Sequence, residues 1–255
     1  MKILLTGYKG FIGTNMFQAL KQKHEVVGFD WSDDFPDVSG FDWVFHLGAI
    51  SATTEKDVEK VMRHNYDFSV ALYEDCVFND VNMQYASSAQ LYGLGTNFNE
   101  DAPVDPRSPY AWSKYLFERY VRMNQSPEII VQGFRYFNVY GPNESHKGDQ
   151  ASPFTKFRKQ KEELGYITVF EPAGKYKRDF IHVDEVIDYQ MKFLNVKESG
   201  VWNIGTGKTM SFLEVAQSIG GEIREIPIPD HIRPFYQEYT CADMTKTKET
   251  LGRYY

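Results

Sequence analysis

The chain has 255 residues, of which 42% are hydrophobic, 25% charged and 16% aromatic, and it carries a formal net charge of −7. This is the composition of a globular protein with one sizeable core, not of a disordered chain, and the acidic balance (pI near 5.4) argues against general nucleic-acid binding. Two distant cysteines (Cys76 and Cys241), histidines without ligand spacing and no long apolar run lead to the expectation of a reduced, cytoplasmic protein without a metal site or a membrane span.

Lys2–Thr6 reads as a short apolar strand, followed by Gly7-Tyr8-Lys9-Gly10-Phe11-Ile12-Gly13 and an amphipathic run to Lys23. Strand, glycine turn and helix in this order let main-chain N–H groups approach a pyrophosphate. A second strand, Glu25–Phe29, ends at Asp30, whose carboxylate can accept from an adenosine ribose and would repel a 2′-phosphate. Residues 30–42 hold five aspartates (30, 33, 34, 37 and 42) and no Lys or Arg, which favours NAD over the alternative NADP. Trp43–Leu47 is a buried strand ending in the small residues Gly48-Ala49, where a cofactor can pass close to the main chain.

A long helical segment from about Glu55 to Phe78 carries Asn65, and Met83–Ser87 is the next strand, with Ser87-Ser88 at its carboxyl end. After a loop over 97–107, a helix from Tyr110 to Arg122 places Tyr110 and Lys114 on one face. A phenol with a pKa near ~10 is a poor base at neutral pH, and an ammonium one turn away favours its phenolate. Such a pair can move a proton on and off a sugar hydroxyl that a nearby Ser holds. Roughly one Tyr-x-x-x-Lys arises by chance in a chain this rich in both residues, so the pair gains meaning only beside a hydride acceptor. The strand Ile129–Phe134 completes a β-α-β-β-α-β-α-β order, hence a doubly wound parallel α/β sheet (Rossmann).

Beyond Pro142 come a loop over 143–149, a basic helix with Lys156, Arg158, Lys159 and Lys161, and a strand at Ile167–Glu171. Helix Val183–Leu194 and strand Val201–Ile204 return to the main sheet; a helix from about Ser211, a strand at Ile223–Ile226 and a helix at Met244–Leu251 follow. The expected division is a dinucleotide-binding unit of residues 1–140 plus 181–207 and a small substrate-binding cap of residues 141–180 plus 208–255.

Thr6-Gly7-x-x-Gly10-Phe11-Ile12-Gly13, Ser87-Ser88, Tyr110-x-x-x-Lys114, Phe134 to Pro142 (FRYFNVYGP) and Arg178 to Asp184 (RDFIHVD) occur in one order over nearly the whole chain. This resembles the extended short-chain dehydrogenase/reductases that epimerise or dehydrate nucleotide sugars. Within them, Asn138 to Gly148 and Tyr176 to Phe180 look most like the ADP-glycero-manno-heptose 6-epimerases. The resemblance implies Tyr110 as the base, Lys114 as its tuner, Ser88 on the reacting hydroxyl and Lys147 as a second acid/base. It implies cofactor contacts from Gly7, Gly10, Phe11, Ile12, Gly13, Asp30, Trp31, Leu47, Gly48, Ala49, Asn65 and Val139, together with Tyr110 and Lys114. Nucleotide-sugar contacts are implied at Ser88, Asn138, Asp149, Lys156, Phe170, Glu171, Arg178 and Tyr236, with Arg178 on the diphosphate.

Ala89-Gln90 stand where sugar dehydratases of this superfamily carry an Asp-Glu pair, which disfavours water elimination. A hexose 4-epimerase, a nucleotide-sugar reductase and a non-catalytic dinucleotide-binding regulator are the alternatives. The short span between Asp30 and Trp43 leaves no room for the family's third strand and helix, and Asp37-Val38 is the expected substitute for its adenine contact. Resemblance also implies a homo-oligomer joined through the 55–78 and 110–124 helices.

Overall fold

The computed structural model describes residues 1–31, 34–230, 233 and 236–255, and of Asp149 the main chain only. Its main sheet is built from β1 (Lys2–Thr6), β2 (Glu25–Phe29), β3 (Trp43–His46), β4 (Asn82–Ser88), β5 (Val131–Tyr136) and β10 (Gly200–Ile204). These six strands run parallel in the order β10-β5-β4-β3-β1-β2. Parallel strands need crossovers, and the apolar runs of β1, β3 and β5 are buried on both faces because helices cover both sides. Those helices are α1 (Phe11–Leu20), α2 (Val58–Met62), α3 (Phe68–Phe78), α4 (Pro109–Met123) and α6 (Val183–Phe193). The strand order reverses between β1 and β3, and it is there that the carboxyl ends open a crevice.

β2 is the edge strand, as the length of the 31–42 connection requires. That connection closes against the sheet by burying Val38 completely, in a cluster with Val44, Leu72 and Met83. Asp37 accepts from the Ser39 N–H. The pair Asp37-Val38 therefore serves the fold, and the expectation that it meets adenine is corrected below.

The single helix expected over 55–78 is interrupted. Asp57 caps α2 by accepting from the Lys60 N–H, and Arg63–Asp67 form a π-helical turn before α3. This bulge re-aims Asn65 toward the end of β3.

Three two-stranded sheets flank the crevice: β6 (Asn138–Tyr140) with β9 (Phe180–His182), β7 (Tyr166–Phe170) with β12 (Glu222–Ile226), and β8 (Lys177–Arg178) with β11 (Met210–Ser211). With α5 (Pro153–Leu164) and α7 (Phe212–Ile219) they bury Phe154, Phe157, Ile167, Val169 and Val215 in a core of their own. Asp179, fully buried, ties this layer to the main sheet by accepting from Thr206 and from the Gly207 and Ala242 N–H groups. The last helix, α8 (Thr245–Gly252), packs on β10 through Trp202–Thr250 and Thr247–Asn203 hydrogen bonds, so the end of the chain lies against the main sheet.

Candidate active site

The glycine turn is sterically obligatory. Gly7 has φ +70°, and a Cβ on it would lie 2.6 Å from Gly48 Cα; one on Gly13 would lie 2.0 Å from the Gly7 carbonyl oxygen. The turns after β1 and β3 thus pack backbone to backbone, which only glycine allows. No side chain caps α1 and no acidic residue stands in its first turn, so its free N–H groups and dipole face the crevice. A cradle of this shape, closed to any Cβ and open to an anion, fits the pyrophosphate of a dinucleotide.

Beside it, Thr6, Gly7, Phe29, Asp30, Trp31, Gly48, Ala49, Ile50, His64 and Phe68 line a recess of about 140 Å³. Trp31 stacks on His64 at 3.7 Å between ring centroids, and Phe68 lies 5.5 Å from Trp31. This aromatic wall lines the recess, and Asp37 and Val38 do not. His64 and Phe68 carried no signal in the sequence because a helix-borne aromatic is ordinarily core. Asp30 closes the recess: its carboxylate accepts from the Trp31 N–H and lies 4.0 Å from the exposed Lys9 ammonium. Among the described residues no Lys or Arg lines this recess, in keeping with NAD rather than NADP. Asp33 lies outside the described residues.

The recess opens into a larger cavity of about 510 Å³. Its walls bring together Gly7, Gly10, Phe11, Ile12, Gly13, Leu47, Gly48, Ala49, Ser88, Tyr110, Lys114, Asn138, Val139 and Lys147, all named from the sequence. Ser87, Gln90, Tyr136, Phe137 and His146 also line it.

Ser108 caps α4 and Pro109 opens it, placing Tyr110 and Lys114 in its first turns. Burial pushes the Tyr110 phenol up, and a hydrogen bond with Ser88 opposes it. Lys114 is 4% exposed; burial pulls its ammonium down to about 8, with Glu118 one turn on holding it up. Because the charged form fades above that value, NAD affinity of the cofactor-free protein is expected to fall as pH rises past about 8. Titrations across that range check this, and Lys114→Arg, which stays charged, should flatten the profile.

Lys147 sits in the 145–150 turn, which Glu144 holds onto α5. That buried carboxylate accepts from the Ser152 N–H (2.7 Å), Ser152 Oγ (2.7 Å) and Thr155 Oγ1 (2.9 Å). The Lys147 ammonium stands 5.3 Å from the Phe11 ring centroid, and burial lowers its pKa against the pull of Glu144. A lysine so placed can release a proton more readily than a solvated one.

Asn65, Lys156, Phe170, Glu171, Arg178 and Tyr236 line neither of these cavities. Asn65 is 1% exposed and lines neither cavity; its amide bonds the Ile50 N–H and carbonyl and the Ser113 hydroxyl. It fixes the loop beside the cofactor seat and does not form that seat. Arg178 packs between the Phe212 and Tyr236 rings (5.5 and 5.4 Å) and donates to the Lys177 and Gln237 carbonyls. Its guanidinium is thus occupied by the main chain, while Phe170 meets Tyr236 edge-on at 5.5 Å. Glu171 lines a separate pocket of about 440 Å³ with Glu225 and Arg233. Lys156 stands in the first turn of α5, and the Asp149 side chain lies outside the described residues.

Comparison with known proteins agrees with this geometry. By structure the chain is similar to the ADP-L-glycero-D-manno-heptose-6-epimerase of Helicobacter pylori (27% identity, TM-score 0.87, 98% of this chain and 90% of that one). It is also similar to MoeE5 solved with UDP-glucose and NAD (25% identity, TM-score 0.83, 99% and 92%). The UDP-N-acetylglucosamine 4-epimerase of Methanobrevibacter ruminantium shares the fold (22% identity, TM-score 0.88, 98% and 91%). Residues 3–205 match the model of the NAD dependent epimerase/dehydratase family, and with its glycine cradle, Ser-Tyr-Lys set and NAD seat in place the chain belongs to that family.

Proposed function

We propose that the protein epimerises a nucleotide-activated sugar by transient oxidation and re-reduction, and that ADP-heptose inverted at C6 is the substrate. The observation that carries this reading is the single cavity that holds both Tyr110 with Lys114 and, from a separate loop, Lys147. Two proton handlers carried by different elements suit an inversion, because a flat ketone can present either face to one hydride. NAD, when bound, would accept the hydride in the oxidation and return it in the re-reduction. Ser88 and Tyr110 hold the reacting hydroxyl and remove its proton; Lys114 supplies the positive charge beside them. Gln90 at the wall, with no carboxylate next to Ser88, supports epimerisation over dehydration.

The heptose assignment is supported by the 27% identical structure solved for such an enzyme and by the NVYGPNESHKG segment. Residues 1–140 plus 181–207 then serve the cofactor, and 141–180 plus 208–255 form the substrate side, except that α8 (Thr245–Gly252) packs on β10 of the main sheet. Among the described residues no helix is long and apolar enough to cross a membrane. A cytoplasmic homo-oligomer fits the exposed Phe78, Trp112 and Met123 on the packed α3 and α4.

The test is to incubate NAD-loaded protein with ADP-heptose and follow the configuration at C6. Lys147→Met should cut inversion by about 10²-fold or more while leaving NAD bound and C6 oxidation by Tyr110 measurable. Inversion at the wild-type rate in that variant removes the two-handler reading, and UDP-hexose inverted in place of ADP-heptose moves the substrate assignment.

A further inference from the structure

A continuous buried chain of hydrogen bonds runs beneath the cofactor seat and ends on the catalytic helix. The Gly48 N–H donates to Thr6 Oγ1 at 3.2 Å, and that oxygen lies 2.7 Å from His46 Nδ1. On its other side His46 Nε2 lies 2.7 Å from Ser69 Oγ, which donates to the Asn65 carbonyl at 2.5 Å. The Asn65 side chain donates to Ser113 Oγ at 3.1 Å, and Ser113 donates to the Tyr110 carbonyl at 2.7 Å.

The proton order in this chain is forced. Ser69 gives its only proton to Asn65, so it must accept from His46, and His46 therefore carries its hydrogen on Nε2. Nδ1 is then an acceptor, and the Thr6 hydroxyl donates to it. Thr6 oxygen is left to accept from Gly48. A second proton on the ring would make Thr6 Oγ1 accept from both His46 and Gly48 and turn its own hydrogen away from the ring. The surroundings oppose that charge: His46 is 1% exposed, it faces Phe68 and Phe117, and the charged groups near it contribute repulsion from the Lys114 ammonium. Burial and that repulsion hold the ring pKa down to about 3.

From this geometry we infer that His46 is a positioning residue for the hydride site: as a fixed Nε2–H tautomer it locks the Thr6–Gly48 contact that shapes the NAD seat and, through Ser69 and Asn65, holds that seat at a set distance from Tyr110. The inference rests on the proposed reaction for its kinetic consequence and on the hydrogen-bond chain alone for its structural one. Residues that never touch substrate or cofactor can act in this way, because a displacement of about 1 Å at the reacting atoms costs on the order of 10²-fold in rate.

Two measurements test it on the full-length protein. With 15N-labelled histidine, the His46 signal, assigned by its loss in His46→Gln, should report the neutral Nε2–H form with no titration between about pH 5 and 8. An Nδ1–H form, or titration near the ordinary histidine value, overturns the inference whether or not the protein is an epimerase. Ser69→Ala then cuts the chain on the side away from the cofactor, and it keeps His46. In that variant, turnover per NAD-bound site should fall about tenfold, KM for the sugar nucleotide should hold, and NAD affinity should weaken several-fold. Turnover per NAD-bound site within about twofold of wild type, with only the melting temperature lowered, assigns the chain to stability and overturns the positioning role. Failure of the wild-type protein to invert ADP-heptose strikes the proposed function and leaves the NMR and NAD-affinity results to decide this inference.

Discussion

Tyr110→Phe is expected to lower epimerisation by roughly 10²–10⁴-fold while the protein stays folded and binds NAD. The change removes one oxygen and keeps the ring that fills the wall of the cavity. Burial holds the phenol protonated in the cofactor-free protein, and the Ser88 hydrogen bond is the counterweight. Without the oxygen, no group on that wall can take the proton of the reacting hydroxyl. Lys114, 4% exposed, serves there as the positive charge beside Tyr110. Reduced rates at unchanged NAD affinity are the expected pattern, followed by C6 configuration and by cofactor titration. Loss of NAD binding would instead make Tyr110 a structural part of the seat. A decrease below about tenfold would transfer the base role to another residue.

Glu118→Ala is the expected destabiliser, by about 3–5 kcal/mol. One turn beyond Lys114, Glu118 receives two bonds from Arg135 (3.0 and 2.7 Å) and a short one from Ser87, with both ionic side chains 7% exposed. Arg135 continues to Tyr92 and to the Glu100 carbonyl, and Tyr92 to Asn203, so the pair links β4, β5 and β10 beneath Ser87 and Ser88. Burial pulls the Arg135 pKa down, but the Glu118 bonds and charge outweigh it and raise it overall. Removing the carboxylate leaves that guanidinium buried and unpaired, which costs far more than the pair itself is worth. Denaturant unfolding measures the loss. Replacing both partners by apolar residues, as in Glu118→Leu with Arg135→Met, should recover much of it, and a double variant as unstable as Glu118→Ala would show that the network, not the bare charge, carries the stability.

The legible part of the site was the part whose chemistry depends on local spacing. Tyr110 and Lys114 share a face because a helix repeats at that interval. Gly7, Gly10 and Gly13 follow a strand and open a helix, and the cradle they form is set by the absence of a Cβ. The bounds of β1 and β2 coincide with the expected ones for the same reason: apolar runs end at Thr6 and Asp30. Lys147 was legible only through resemblance, since nothing in a loop lysine distinguishes a solvated one from one that a buried Glu144 draws into a cavity.

What stayed hidden depended on contacts between residues far apart in the chain. His46 and Glu118 read as ordinary members of a strand and a helix, and their roles arise from Ser69, Thr6, Arg135 and Ser87, which lie 17 to 40 residues away. Asn65 looked like a cofactor ligand because its position matched, yet a π-helical turn directs it onto Ile50.

By itself, then, the sequence determined the parallel sheet, the short 31–42 connection that leaves β2 at the edge, the glycine cradle and the Ser-Tyr-Lys set. Each of these is dictated by periodicity, by connection length or by one residue's stereochemistry. Tertiary structure alone decided that Val38 goes to the core and that His64 stacks on Trp31 in the recess, and it decided which buried bonds hold the site in shape. Those outcomes follow from which distant side chains can fill one volume and satisfy one another's hydrogen bonds, a condition that no local pattern encodes.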